Sequence, residues 1–240
     1  MRLVAGGPLL GGWVGVFWFI TCLFLTKQVY HALRRKMSLG STGAAALAMS
    51  FAGLALSHFW PNFWLPWCAD IVLVAVLFFW LGDFISDLRQ RSSANWAATA
   101  VGAAVAAVGA YGIFNGEAWS LNMKMGDYGV PFLSLALAGA TAIALIEVAI
   151  VLDRIPGVSR FLRHCGGASL VIMFIHQPLQ MILRHSLNVA DPMLRFGLAL
   201  AGSLVFYELV RHLTLGRALF LGSIPDQRRF LRGSAGGSLT

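Results

Sequence analysis

The chain has 240 residues, of which 58% are hydrophobic and 12% are charged, and its mean hydropathy is +0.73. A soluble domain carries about 25% charged residues, so this composition excludes a soluble globular domain and predicts an integral membrane protein. The formal net charge of +8 does not indicate nucleic-acid binding, because excess Lys and Arg in a multi-pass membrane protein mark its cytoplasmic loops.

Apolar segments separated by polar or basic loops predict an all-α bundle of about seven transmembrane helices, since one span needs about 20 residues of helix. The first segment is too long for the core of a signal peptide, so we take it as a span. We expect one polytopic domain, 1–213, and a basic, disordered cytoplasmic tail, 214–240. The predicted spans are residues 10–32, 42–57, 68–85, 96–114, 130–152, 166–183 and 194–213.

The loop charges predict how these spans are oriented. Thirteen Lys and Arg residues fall on one side of the seven-span arrangement and four on the other. The positive-inside rule then puts the N-terminus outside and the C-terminus in the cytoplasm. A chain that starts outside without a signal is unusual, so we expect further helices upstream.

The sixth predicted span carries polar side chains at its centre. His176 lies near its midpoint, and Pro178 just after it removes one backbone hydrogen bond and predicts a kink there. Because lipid offers no hydrogen-bond partners, a polar stripe should turn towards other helices or a water-filled cavity. Helical spacing places five side chains on that stripe: Ser169, Met173, His176, Gln180 and Arg184.

Several segments, in this order and spacing, resemble one family of membrane proteins. They are residues 17–24 (FWFITCLF), 65–70 (LPWCAD), 74–82 (VAVLFFWLG), 122–125 (NMKM) with 128–131 (YGVP), and 166–176 (GGASLVIMFIH). The family is acyltransferase family 3, and the segments are most similar to its fucose 4-O-acetylase-like branch. The sequence departs from the family pattern at Thr21, where proline is expected, and at Gly167, where lysine is usual.

The resemblance implies about ten membrane helices, of which this chain would hold the last seven. It implies transfer of an acyl group, usually acetyl from acetyl-CoA, to a sugar hydroxyl of a cell-surface or lipid-linked glycan, at a bacterial-type inner membrane. The family's best-known essential histidine and arginines lie near its first helices, and nothing here matches that part. We therefore expect this chain to be the C-terminal portion of the family fold. We also expect acyl-CoA as co-substrate, no tightly bound cofactor, and His176 as the one catalytic residue carried over.

The predicted site residues each have a functional and a structural interpretation. His176 is either a general base for a sugar hydroxyl or a neutral histidine hydrogen-bonded between helices. Gln180 and Arg184 are predicted to bind a glycan hydroxyl or a phosphate, although Arg184 can also snorkel to the outer interface. Asp70 is predicted to bind substrate as well, or else to be a first-turn acid favoured by the helix dipole.

Charged residues elsewhere leave similar alternatives. Arg154, Arg160 and Arg163 are predicted to bind the phosphates of coenzyme A, or serve only as topology signals. Glu147 and Glu208 lie within predicted spans. We expect them to form structural ion pairs, for example with Lys27, or else to lie along the route by which the acyl donor enters.

A second class of function stays open. In a small transporter or channel-like protein, His176, Gln180, Glu147 and Glu208 would line a polar path; an inactive scaffold subunit is a third possibility. The sequence has no Gly-rich phosphate loop, HExxH motif or nucleophile elbow. Its three cysteines lack metal-ligand spacing, so we expect no metal ion. If the protein is an acyltransferase, we expect direct acyl transfer.

Overall fold

The computed structural model describes residues 13, 15–60, 63, 65–91, 96–116, 119–213 and 216–217. Over these ranges the regular structure is helical, with one isolated bridge between Asn122 and Asp127, so the all-α prediction is confirmed. The predicted tail lies outside the described residues except for 216–217. The helices are α1 (Phe17–Lys36), α2 (Leu39–Phe59), α3 (Ala69–Arg91), α4 (Trp96–Phe114), α5 (Leu133–Leu152), α6 (Pro156–Gly167), α7 (Ser169–His185) and α8 (Pro192–His212).

The described residues form two compact units, one within residues 17–154 and the other within residues 155–217 together with 13 and 15–16. The first contains α1 to α5 and the second contains α6 to α8. Two helices begin at side-chain caps. Ser38 Oγ accepts a hydrogen bond from the Ser41 N–H at the start of α2 (3.3 Å), and Asp191 Oδ1 accepts one from the Leu194 N–H at the start of α8 (2.7 Å).

Helix α3 is the centre of the first unit, and its Ile71, Val74 and Val76 are fully buried. Helix α2 packs against it through glycines, since a Cβ on Gly53 would lie 2.7 Å from a methyl group of Val74. Small residues at such contacts let membrane helices approach closely. The fold of the first unit therefore depends on α2 presenting glycine where α3 presents its side chains.

Polar contacts also tie α3 to its neighbours. Tyr30 Oη and Arg34 Nε on α1 both donate to Asp83 Oδ2, at 2.6 and 2.9 Å. Arg89 forms an ion pair with Glu147 on α5. Glu147 thus has a structural pairing, as expected, but its partner is Arg89 and not Lys27.

The second unit is held by contacts of α8 with α6 and α7. Leu179 of α7 packs on Gly202, where a Cβ would lie 2.9 Å from the leucine Cδ1. Glu208 of α8 accepts from Arg211 Nε at 2.7 Å and lies 3.2 Å from His164 Nε2 of α6. Glu208 therefore also has a structural pairing.

Four helices are long and apolar enough to cross a membrane, namely Leu39–Phe59, Pro66–Gln90, Leu133–Leu152 and Pro192–His212. The pair Pro156–Gly167 and Ser169–His185 makes a fifth if the two count as one bent span. Helix α1 does not qualify, and the apolar part of α4 is the shorter Gly102–Phe114. The protein is thus a multi-pass membrane protein with four or five supported spans among the described residues. The count of seven and the orientation of the termini stay predictions.

The chain breaks just before the histidine helix, at a point that the sequence did not predict, while the kink predicted at Pro178 stays a prediction. Helix α7 continues through Pro178, and the chain bends by 77° between α6 and α7, at Ala168. Proline is tolerated within membrane helices where neighbouring groups satisfy the freed carbonyl. Gly166 and Gly167, immediately before the bend, are poor helix formers and give a local reason for the break.

Candidate functional site

The polar stripe predicted from helical spacing is present on α7. His176 and Gln180 are half-buried, and Arg184, one turn further on, is exposed. Gln180 makes no side-chain hydrogen bond within the part of the chain that the structure describes, so its amide is available to a ligand. One helix therefore presents an imidazole, an amide and a guanidinium at successive turns.

The hydrogen bond of His176 fixes which ring nitrogen can act as a base. Its Nδ1 lies 2.8 Å from the carbonyl oxygen of Ile172, one turn earlier. A carbonyl oxygen can only accept, so Nδ1 carries the hydrogen, and a neutral ring has its lone pair on Nε2. Among the described residues nothing bonds to Nε2. The hydrogen bond of His176 is thus made within α7 rather than between helices as in the structural alternative, and its role as a base stays a prediction.

A cleft lies where α7 ends and α8 begins. Its volume is about 480 Å³, and it is lined by Arg184, Asn188, Val189, Ala190 and Arg195. Asn188 has a left-handed backbone (φ 51°), which asparagine adopts more readily than most residues, and this turn brings α8 back towards α7. The stripe on α7 therefore ends at a cleft with two arginines. Sequence reasoning identified Arg184 but missed Arg195.

Asp70 lies in the first unit, in the first turn of α3. Its Oδ1 accepts a hydrogen bond from the Leu65 N–H at 3.1 Å. Asp70 is thus a first-turn acid, as its structural alternative has it, and its carboxylate in addition orders the chain that enters α3. Binding of substrate by Asp70 stays a prediction.

The three arginines predicted for coenzyme A have different surroundings. Arg163 donates to the buried Ser159 Oγ on its own helix, α6. Arg160 is exposed on the same helix, and Arg154 is exposed at the end of the first unit. Within the described ranges, no three His, Cys, Asp or Glu side chains come together to hold a metal ion.

A second cleft, in the first unit, was not predicted. It has a volume of about 390 Å³ and is lined by Leu54, Ser57 and His58 from α2 and by residues 125–129 and 131. Ser57 Oγ donates to the Gly126 carbonyl at 2.5 Å, and Asp127 Oδ1 accepts from the Gly129 N–H at 3.1 Å. Burial raises the pKa of Tyr128, so its phenol stays protonated at neutral pH.

The signal that could have located this cleft was in the sequence. Residues 122–125 and 128–131 are among the segments that resemble the family, and His58 directly precedes the aromatic loop that begins at Phe59. Their proximity depends on the Ser57–Gly126 hydrogen bond, which joins residues 69 positions apart. The hydroxyl, imidazole and carboxylate groups around the cleft can hydrogen-bond a polyhydroxylated ligand.

Comparison with known proteins gives one match. The family model of acyltransferase family 3, described as an acyltransferase domain, matches residues 3–207. No curated protein and no solved structure matches the chain. The matched range includes both clefts and the whole stripe on α7.

Proposed function

The chain belongs to acyltransferase family 3, and on that basis we propose that it transfers an acetyl or another acyl group from acyl-CoA to a sugar hydroxyl. The acceptor is a cell-surface or lipid-linked glycan, and the membrane is a bacterial-type inner membrane. The observation that carries this proposal is the family match over residues 3–207. The open Nε2 of His176 supports it, because acyl transfer to a hydroxyl needs a base.

We assign His176 the role of general base. Its Nε2 takes the proton of the sugar hydroxyl while the sugar oxygen bonds to the thioester carbonyl carbon. The bond between that carbon and sulfur breaks, and the coenzyme A thiolate takes the proton back from the imidazolium. Gln180, one turn away, is placed to orient the acceptor sugar by hydrogen bonds.

Transfer of labelled acetyl from acetyl-CoA into membrane glycans tests this proposal, using membranes that contain the full chain. We expect His176→Gln to lower the rate about 10²- to 10⁴-fold, the usual contribution of general-base catalysis. His185→Gln, an exposed histidine at the end of the same helix, should leave the rate unchanged. Full activity of His176→Gln would exclude the assigned role, and no transfer by the unaltered chain from a panel of acyl-CoA donors would count against the function.

We propose that Arg160 and Arg163 on α6 bind the phosphates of the acyl donor, while a role of Arg154 in the first unit stays a prediction from the sequence. Arginine suits this task because its planar guanidinium makes paired hydrogen bonds to phosphate oxygens. Coenzyme A should raise the unfolding temperature of the detergent-solubilised protein, while pantetheine, which lacks the phosphates, should not. An equal shift in Arg160→Gln and the unaltered protein would remove Arg160 from the donor site.

A transporter is the second candidate, favoured by the 77° break between α6 and α7. Discontinuous helices commonly form the binding sites of transporters. This function predicts solute flux into sealed liposomes that His176→Ala abolishes. Absence of flux across a broad panel of solutes would exclude it.

A further inference from the structure

The cleft between α7 and α8 has an excess of positive charge. Arg184 and Arg195 both line it, and neither forms an ion pair with an acid in the part of the chain that the structure describes. The one acid between them in sequence is Asp191, whose Oδ1 accepts the Leu194 N–H. Asp191 thus caps α8, and among the described residues no acid forms an ion pair with either guanidinium group.

Two arginines that share one cleft are suited to an anion with several acceptor oxygens. A guanidinium binds phosphate or carboxylate through two parallel hydrogen bonds, and a phosphoryl group with up to two negative charges can engage both arginines. Asn188 adds an amide that can donate at the same place. The volume of about 480 Å³ accommodates such a group together with part of the molecule that carries it.

The surroundings of the cleft place it at a membrane surface. Helix α8, which begins at Pro192, is apolar enough to span a bilayer, so its first turn lies where the headgroups begin. Apolar side chains next to the cleft are exposed, with Leu187 at 64% and Met193 at 80%. Exposed apolar groups beside paired arginines suit a phosphoryl group attached to a lipid chain.

We propose that Arg184 and Arg195 together bind a phosphoryl group at the membrane surface. If that group belongs to the acyl acceptor, it anchors a lipid-linked sugar close to the stripe on α7, and this assignment to the acceptor rests on the proposed function. Binding itself does not depend on acyl transfer, because it needs only the cleft and the two arginines.

Binding is measured without an acyl donor, by native mass spectrometry of the full chain in detergent. Three probes separate the sources: phosphatidic acid, diacylglycerol with the same chains but no phosphoryl group, and inorganic phosphate as competitor. We expect phosphatidic acid to bind and diacylglycerol not to bind. Competition by inorganic phosphate would show that the phosphoryl group alone suffices, and its failure would show that the lipid chain is also needed; both outcomes support the proposal.

Variants assign the binding to the cleft. Arg184→Gln and Arg195→Gln should each weaken binding of phosphatidic acid roughly tenfold or more, as expected for loss of a charge-assisted hydrogen bond. Arg35→Gln, which removes an exposed charge on α1, should bind as the unaltered protein does. Thermal unfolding checks that the variants fold, and Arg184→Lys, which keeps the charge, should retain part of the affinity. Equal binding of phosphatidic acid and diacylglycerol, or unchanged binding in both glutamine variants, would overturn the proposal.

Discussion

Replacing Gly43 with alanine tests the packing of α2 on α3. A Cβ at this position would lie 2.5 Å from Trp80 Cε2 and 2.6 Å from its Nε1, about 1 Å inside normal contact. The indole cannot move freely, because Nε1 donates to the Leu39 carbonyl at 3.0 Å and the ring stacks on Phe84. Overpacking costs about 1–3 kcal/mol, and losing the indole hydrogen bond costs about 1 kcal/mol. The better helix propensity of alanine offsets about 1 kcal/mol, so the net destabilisation is about 1–3 kcal/mol.

Unfolding in detergent measures this difference, with Gly82→Ala as the matched control. Gly82 lies within α3 and nothing is within 4 Å of its added Cβ, so that change should be neutral or stabilising by up to about 1 kcal/mol. Trp80→Leu should relieve the overlap, and the cost of Gly43→Ala should shrink in that background by more than about 0.5 kcal/mol. Equal stability of Gly43→Ala and Gly82→Ala would refute the close contact between the helices.

Two further predictions use the same unfolding assay. Asp191→Ala should lower the free energy of unfolding by about 1 kcal/mol because it removes the cap of α8. Asp191→Asn keeps an acceptor oxygen and should lower it much less. An alanine variant as stable as the unaltered protein would contradict the capping role. Tyr30→Phe should cost about 1 kcal/mol through the lost hydrogen bond to Asp83. The side chain of Tyr111 is 73% exposed, so Tyr111→Phe should change the free energy of unfolding by no more than a few tenths of a kcal/mol. An equal effect of Tyr30→Phe and Tyr111→Phe would count against the contact between α1 and α3.

The spans that sequence predicted most directly are those of α2, α3, α5 and α8. Each is a nearly uninterrupted apolar run, and hydropathy alone locates such runs. Their ends were harder to place. Helix α3 continues to Arg91, beyond the expected end at residue 85, and in this extension Arg89 has a charged partner in Glu147 on α5. Partners so distant in sequence cannot be inferred from a local pattern.

The candidate site, too, could be predicted from the sequence only in part. Helical periodicity was sufficient to align His176, Gln180 and Arg184, because all three lie on one helix. It could not place Arg195, which approaches Arg184 only through the left-handed turn at Asn188. It predicted a kink at Pro178, since proline is the strongest local helix breaker, but it did not predict the 77° bend that follows two glycines.

The bend at Ala168 makes α7 short. At 17 residues the helix is about 26 Å long, a few ångströms less than the hydrocarbon thickness of about 30 Å. As a crossing segment it would force the bilayer to thin or the headgroups to dip towards the break. His176 then lies about two helical turns from polar surroundings, roughly 10 Å along the axis. Hydrophobic mismatch would thereby bring the headgroups closer to a mid-helix imidazole than in a full-length span.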